Sequence, residues 1–120
     1  MGWLDSILGG GGEQKATDVY THIIARFRLP IHEEYFAVVG AIEFLSIDDP
    51  KAAMESLYRQ INEYTDRTGI HVGGLEVGNF ELPFKTLLDA LQTSIRARSI
   101  TKQNALNSLR KKRDELSKRL

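Results

Sequence analysis

The longest uninterrupted apolar run in this sequence, Tyr35–Ile42, has only eight residues and ends at Glu43. A helix that crosses a bilayer needs about 20 consecutive apolar residues, so we predict no transmembrane segment. The chain has 120 residues and no cysteine, which excludes disulfide scaffolds, thiolate metal sites and cysteine nucleophiles. It must therefore build a core from short segments, and we expect one domain with additional terminal segments. No basic region precedes the first apolar residues, so we expect no secretory signal and a cytoplasmic location.

The N-terminal segment, residues 1–12, combines a short apolar stretch with a run of four glycines, Gly9–Gly12. The large apolar side chains fall on one side of a two-turn helix, at Trp3, Leu4, Ile7 and Leu8. So short a helix is marginal in water, and its apolar face needs a surface to bind. We interpret the segment as an amphipathic anchor for a membrane or a partner on a flexible glycine tether. Disorder of the whole segment is the alternative.

Residues 17–47 contain two segments whose patterns are ambiguous. The first, residues 17–29, alternates β-branched or apolar residues with polar ones, and the same residues also fit one face of a helix. Because β-branched residues favour strands, we predict a strand that ends before Pro30. The second, residues 31–47, begins with acidic residues that suit a helix N-terminus, and we predict a helix there. Its many apolar residues imply burial on more than one side, or else a second strand.

Local sequence signals mark the beginnings and ends of the next elements. Asp49 and Pro50 are suited to the N-cap and first position of a helix, and Gly69 is placed to end it. Residues 70–82 resemble short strands, with a two-residue hairpin turn at Gly78-Asn79. A helix beginning at Pro83 and a last helix capped by Thr101 complete the predicted order.

These elements predict an α+β fold, in the order β-α-α-β-β-α-α, with helices covering a small antiparallel or mixed sheet of about three strands. The two C-terminal helices would form an amphipathic helical hairpin. An all-α bundle is the alternative. We divide the chain into the N-terminal segment and tether, residues 1–12, an α+β core, residues 17–95, and a basic C-terminal helix, residues 96–120.

The charges of the chain are segregated although its formal net charge is zero. Residues 96–120 contain nine basic and two acidic side chains, whereas residues 1–95 contain seven basic and fourteen acidic ones. The basic tail could bind an anionic partner or the chain's own acidic body. We assign anion binding to six cations of the last helix, which are Arg110, Lys111, Lys112, Arg113, Lys118 and Arg119.

The last helix also carries leucines at intervals of three, seven and four residues, at Leu106, Leu109, Leu116 and Leu120. A seam of two heptads is too short to stand alone. It would pack on the helix that begins near Phe84 or on the same helix of another copy. We predict that these leucines mediate self-association and that the protein is a homo-oligomer.

No arrangement of residues indicates catalysis or a metal site. The three histidines, His22, His32 and His71, are far apart in sequence and lack the spacing of metal ligands. Neither a nucleophile elbow nor a phosphate-binding glycine loop is present. We therefore expect no enzyme activity, no metal, no cofactor and no small-molecule substrate.

The sequence favours a small non-enzymatic interaction or assembly protein. It would self-associate, and the N-terminal segment would attach it peripherally to a membrane or a partner. Its basic helix suits an anionic membrane surface. The alternative is a nucleic-acid-binding regulatory subunit that uses the same helix to neutralise phosphates.

Overall fold

A computed structural model of the chain describes residues 11–72 and 80–120. Helices account for 80% of these described residues, and no strand occurs among them. The α+β prediction is therefore wrong, and the all-α alternative fits the part of the chain that is described. The helices are α1 (Gly11–Ala25), α2 (Ile31–Ser46), α3 (Pro50–Thr68), α4 (Glu81–Arg96) and α5 (Lys102–Ser117).

Helix α1 replaces the strand predicted for residues 17–29. Its buried residues are spaced at helical intervals along one face, at Ala16, Tyr20, Ile23 and Ile24. This stripe packs against α4 and α5. A strand would have divided the same side chains between two faces, so burial on one face outweighs the β preference of the individual residues. The helix begins at Gly11, within the segment interpreted as a tether, and residues 1–10 lie outside the described residues.

Helix α2 forms the centre of the fold, where it packs against α3, α4 and α5. Every residue from Phe36 to Ile42 is buried. The prediction of a helix with burial on more than one side is confirmed, and the alternative of a second strand is wrong. Gly40 allows this close packing, because a Cβ atom there would lie 2.8 Å from the Cδ1 atom of Phe84 and 3.2 Å from the Cδ2 atom of Leu57.

Helix α3 begins and ends at the predicted residues. The Asp49 carboxylate accepts a hydrogen bond from the backbone N–H of Lys51 at 3.0 Å, and Pro50 occupies the first helical position. Gly69 ends the helix with a φ of 76°, in the left-handed region that favours glycine. The helix packs against α2 through an inner face that includes Leu57 and Ile61.

The strands predicted within residues 70–82 are not supported. Residues 70–72 have no regular structure, and α4 already includes residues 81 and 82, so a strand over residues 80–82 is wrong. Pro83 lies in the first turn of α4, where its missing N–H costs no intrahelical hydrogen bond. The predicted hairpin turn falls in residues 73–79, outside the described residues.

Helix α5 begins with the predicted cap. The Thr101 hydroxyl accepts a hydrogen bond from the backbone N–H of Asn104 at 3.0 Å, and the Asn104 side chain accepts one from the backbone N–H of Thr101 at 2.9 Å. This capping box fixes the start of the helix. The closest neighbours of α5 are α1 and α2, whereas the sequence had suggested α4 or another copy of the chain.

Candidate functional site

Three of the four leucines predicted to mediate self-association are buried in the core of their own chain. Leu106, Leu109 and Leu116 are 7%, 1% and 3% exposed, whereas Leu120 is 45% exposed. The first three therefore hold α5 against α1 and α2. Self-association itself stays a prediction.

Half of the cations assigned to anion binding on α5 are engaged with other side chains. Lys111 forms an ion pair with Glu13 of α1. Lys112 lies 3.3 Å from a carboxylate oxygen of Glu115, and its ammonium group lies 5.5 Å from the centre of the Tyr20 ring. The basic part of α5 therefore binds the acidic body of its own chain at one point, as one of the alternatives from the sequence proposed.

The third engaged cation of that set, Arg113, lies 3.4 Å from the Asp114 carboxylate. The other three cations do not form one patch. Arg110, Lys118 and Arg119 are exposed and form no ion pair within the described ranges. Arg110 and Lys118 are eight residues apart, which corresponds to about 12 Å along a helix axis. This half of the set offers dispersed positive charge to a partner.

A second group of cations, which the sequence did not single out as a site, surrounds the turn between α4 and α5. It consists of Lys15 from α1, Arg96 from α4, Arg98 from the turn and Lys102 from α5, all exposed. We call this group the basic end. No member forms an ion pair with another residue among those described. The one hydrogen bond from a cationic group of the basic end joins Arg96 to the Thr93 hydroxyl at 3.2 Å, within the described residues.

The backbone of the turn places Arg98 at the surface. Arg98 has a φ of 62°, in the left-handed region, and the backbone N–H of Ser99 donates to the carbonyl of Ser94 at 3.0 Å. Such a bond across six residues closes a helix in the Schellman manner. Ile100 is then buried, which anchors the turn while the arginine side chain stays in solvent.

Two adjacent grooves flank this turn. The first has a volume of about 380 Å³ and is lined by the start of α1, including Gly11 and Lys15, and by the turn from Arg98 to Thr101. Gly12 permits the close approach, because a Cβ atom there would overlap the side chain of Asn104. Gly11, the first described residue, therefore lies in the same groove as Lys15 and Arg98.

The second groove lies between α2, α4 and α5 and has a volume of about 320 Å³. We call it the α2/α4/α5 groove. The apolar part of its lining consists of Phe44, Leu45, Ile47 and Ile95, and the polar part consists of Asp48, Gln92, Arg96 and Lys102. This mixed lining, with two cations and one anion, suits an amphipathic peptide that carries a carboxylate.

The buried polar contacts of the bundle serve packing. Tyr20 donates a hydrogen bond to the Glu34 carboxylate, and burial together with this bond raises the pKa of the tyrosine. The hydroxyls of Thr17 and Ser108 lie 2.6 Å apart between α1 and α5. Burial and a 2.8 Å hydrogen bond to Glu81 raise the pKa of Tyr58 to about 12. These phenols keep their protons at neutral pH and link helices.

No group of three or more histidine, aspartate or glutamate side chains is placed to hold a metal ion in the described part of the chain. None of the helices in residues 11–72 and 80–120 is both long and apolar enough to cross a membrane. The predicted anchor residues Trp3, Leu4, Ile7 and Leu8 lie outside the described residues.

The sequence offered only part of the signal for the basic end. Arg96, Arg98 and Lys102 lie close together in sequence, and their position around a predicted helix break could have been noticed. Lys15 carries no such signal, because it joins the group only when α1 packs against α5. Comparisons of this chain with protein-family models, curated proteins and solved structures gave no match.

Proposed function

We propose that this protein is a non-enzymatic interaction protein that attaches peripherally to an anionic membrane surface. The N-terminal segment would insert Trp3, Leu4, Ile7 and Leu8 into the interface, and the basic end would bind lipid headgroups. The observation that carries the proposal is the position of Gly11. It lines the same groove as Lys15 and Arg98, so residues 11–72 begin beside cations that form no ion pair with any described residue.

Stable attachment to a membrane usually requires two signals, one apolar and one electrostatic. The ten-residue segment that contains Trp3, Leu4, Ile7 and Leu8 supplies the first. Each lysine or arginine near an anionic surface contributes about 1 kcal/mol, and the effect decays within a Debye length, about 10 Å at 0.1 M salt. The cations of the basic end are all exposed, and two of them, Lys15 and Arg98, line the same groove as Gly11.

Co-sedimentation with vesicles tests the proposal. Wild-type protein should bind vesicles that contain phosphatidylserine and bind vesicles of phosphatidylcholine alone far more weakly. The triple substitution Lys15→Gln, Arg98→Gln and Lys102→Gln should lower the affinity for the anionic vesicles by about 100-fold, since three cations together contribute about 3 kcal/mol. A matched control replaces three exposed cations elsewhere, Lys51→Gln, Arg59→Gln and Lys85→Gln. It should leave most of the binding intact.

Deletion of residues 1–10 should abolish sedimentation with vesicles while the helical circular dichroism is retained, because α1 begins at Gly11. Equal losses in the basic-end variant and the control variant would contradict the proposal, since only net charge would then matter. Unchanged binding after the deletion would also contradict it.

A nucleic-acid partner is the competing outcome. In that case, salt-dependent retention on DNA or RNA should be lost when Arg110, Lys118 and Arg119 are replaced by glutamine. Phosphatidylserine vesicles should then not bind the wild-type protein.

A further inference from the structure

We infer that the α2/α4/α5 groove is a docking site for the N-terminal segment of the same chain, residues 1–10, which shields the anchor when no membrane is present. The docking is independent of the proposed membrane attachment, but its role as a switch rests on that function. The groove supplies four apolar side chains beside polar ones, and the segment supplies apolar side chains that need a surface to bind.

The segment is long enough to reach the groove. Gly11 lines the first groove together with Thr101, and Lys102, the next residue, lines the α2/α4/α5 groove. Consecutive residues of the chain therefore line the two grooves. An extended chain spans about 3.3 Å per residue, so Leu8 can lie up to about 10 Å from Gly11 and Trp3 up to about 26 Å.

The chemistry of the two partners is complementary. Phe44, Ile47 and Ile95 are only partly buried, and each contributes to the walls of the groove. Their burial by aromatic and aliphatic side chains is favourable at about 25 cal/mol per Å² of apolar area. The volume of about 320 Å³ lies at the lower end of ligand pockets, which span about 300–1,000 Å³. It suits a few side chains of a short segment better than a long partner helix.

Charge favours the same occupant. The N-terminal segment contains one ionisable side chain, Asp5, which lies between its apolar residues in sequence. Arg96 and Lys102 line the groove and form no ion pair in the described ranges. A carboxylate held beside them would meet two cations, with Asp48 as the one acidic side chain lining the groove.

Docking would compete with membrane insertion for the same apolar side chains. The apparent vesicle affinity of the whole protein would then be its intrinsic affinity multiplied by the fraction of molecules with a released segment. Substitutions that prevent docking in the groove should therefore strengthen binding to anionic vesicles. Deletion of residues 1–10 should abolish that binding.

Fluorescence tests the docking without any lipid, because Trp3 is the single tryptophan of the chain. The reference is a peptide of residues 1–10, in which Trp3 is exposed to water. Trp3 in the whole protein should emit at shorter wavelength than in the peptide and be quenched less by acrylamide. The substitution Ile95→Gln should move both properties toward those of the peptide. Leu82→Gln, at the other end of α4 and 62% exposed in the native fold, is the matched control and should change neither.

The variant Asp5→Lys keeps the test decisive if Ile95→Gln fails to fold, because it changes no residue of helices α1 to α5. It should also shift the emission to longer wavelength. Identical emission from the protein and the peptide would overturn the inference. An emission shift that grows with protein concentration would also overturn it, since the segment would then occupy a second copy. These measurements contain no vesicles, so a result that contradicts docking leaves the proposed membrane attachment to be tested separately by co-sedimentation.

Discussion

Helices α2 and α5 are each sixteen residues long and pack against each other, but they are buried to different extents. In α2 every residue from Phe36 to Ile42 is buried. In α5 the buried residues follow one face, whereas Arg110 and Lys111 are exposed and Lys112 and Arg113 are partly buried. Almost any change within residues 36–42 must therefore disturb packing. In α5 the residues that stabilise the fold and the charges that could bind a partner are separable.

The largest expected effect comes from the inner face of α5. Replacing Leu109 and Leu116 by alanine should lower the free energy of unfolding by about 4–10 kcal/mol, because each buried leucine contributes about 2–5 kcal/mol. That loss is comparable with the whole stability of a small domain, about 5–15 kcal/mol. Urea unfolding of the single variants gives the separate values, and light scattering reports any change in oligomer mass.

The outer face of α5 supplies the matched control for the leucines. Replacing the exposed cations Arg110 and Lys118 by glutamine should change stability by no more than about 1 kcal/mol, as exposed charges usually do. A smaller effect from the leucines than from these cations would show that α5 is not part of the core. The contrast between the two faces would then fail.

Removal of the Tyr20 hydroxyl, which links α1 to α2, should have the next largest effect on stability. Tyr20 lies between Glu34 of α2, to which it donates a hydrogen bond, and Lys112 of α5. Tyr20→Phe should cost about 1.5–3 kcal/mol at neutral pH, the usual value of a hydrogen bond to a charged group. Urea unfolding at pH 7 measures this loss. A loss below about 0.5 kcal/mol would show that the bond contributes little.

The same substitution should alter the response to alkali. An unfolded tyrosine releases its proton near pH 10, whereas the pKa of folded Tyr20 is raised by burial and by Glu34. Above about pH 10 the unfolded state therefore binds fewer protons, and the free energy of unfolding falls as pH rises. Tyr20→Phe should flatten this fall. Tyr58, whose pKa is raised to about 12, contributes equally to both proteins, so identical slopes would contradict the role of Tyr20.

A substitution at Gly40 tests how closely α2 packs against its neighbours. Gly40→Ala should destabilise the fold by up to about 2 kcal/mol, because overpacking costs about 1–3 kcal/mol and the helix preference of alanine offsets about 1 kcal/mol. The cost should disappear when Phe84 is also replaced by leucine, since ring atoms of Phe84 are the nearest to the added methyl group. A double-mutant cycle from urea unfolding measures this coupling. Additive effects would show that the contact is not the cause.

The smallest expected effect concerns the ion pair between Lys111 of α5 and Glu13 of α1. Lys111→Gln should cost about 0.2–1 kcal/mol, because the lysine side chain is 70% exposed. Arg110→Gln is the control, since Arg110 has no ion pair among the described residues. Unfolding measured at low salt and at about 1 M salt should show the difference only at low salt. A salt-independent difference would point to packing of the lysine stem instead.

The amino-acid sequence by itself determined where several helices begin and end. The start of α3 at Asp49-Pro50, its end at Gly69 and the cap of α5 at Thr101 were all predicted correctly. Each of these signals acts between residues no more than a few positions apart, as in the hydrogen bonds of Thr101 with Asn104. Capping chemistry is local, so it can be recognised without knowledge of the fold.

Only the tertiary structure decided that residues 17–25 are helical and which cations are paired. The alternation in that segment allowed a strand, and packing of Tyr20 and Ile24 against distant helices selected α1. Likewise, Lys111 meets Glu13 and Thr17 meets Ser108 across more than ninety residues of sequence. Burial and charge pairing depend on which surfaces meet after folding, and no local pattern encodes that choice.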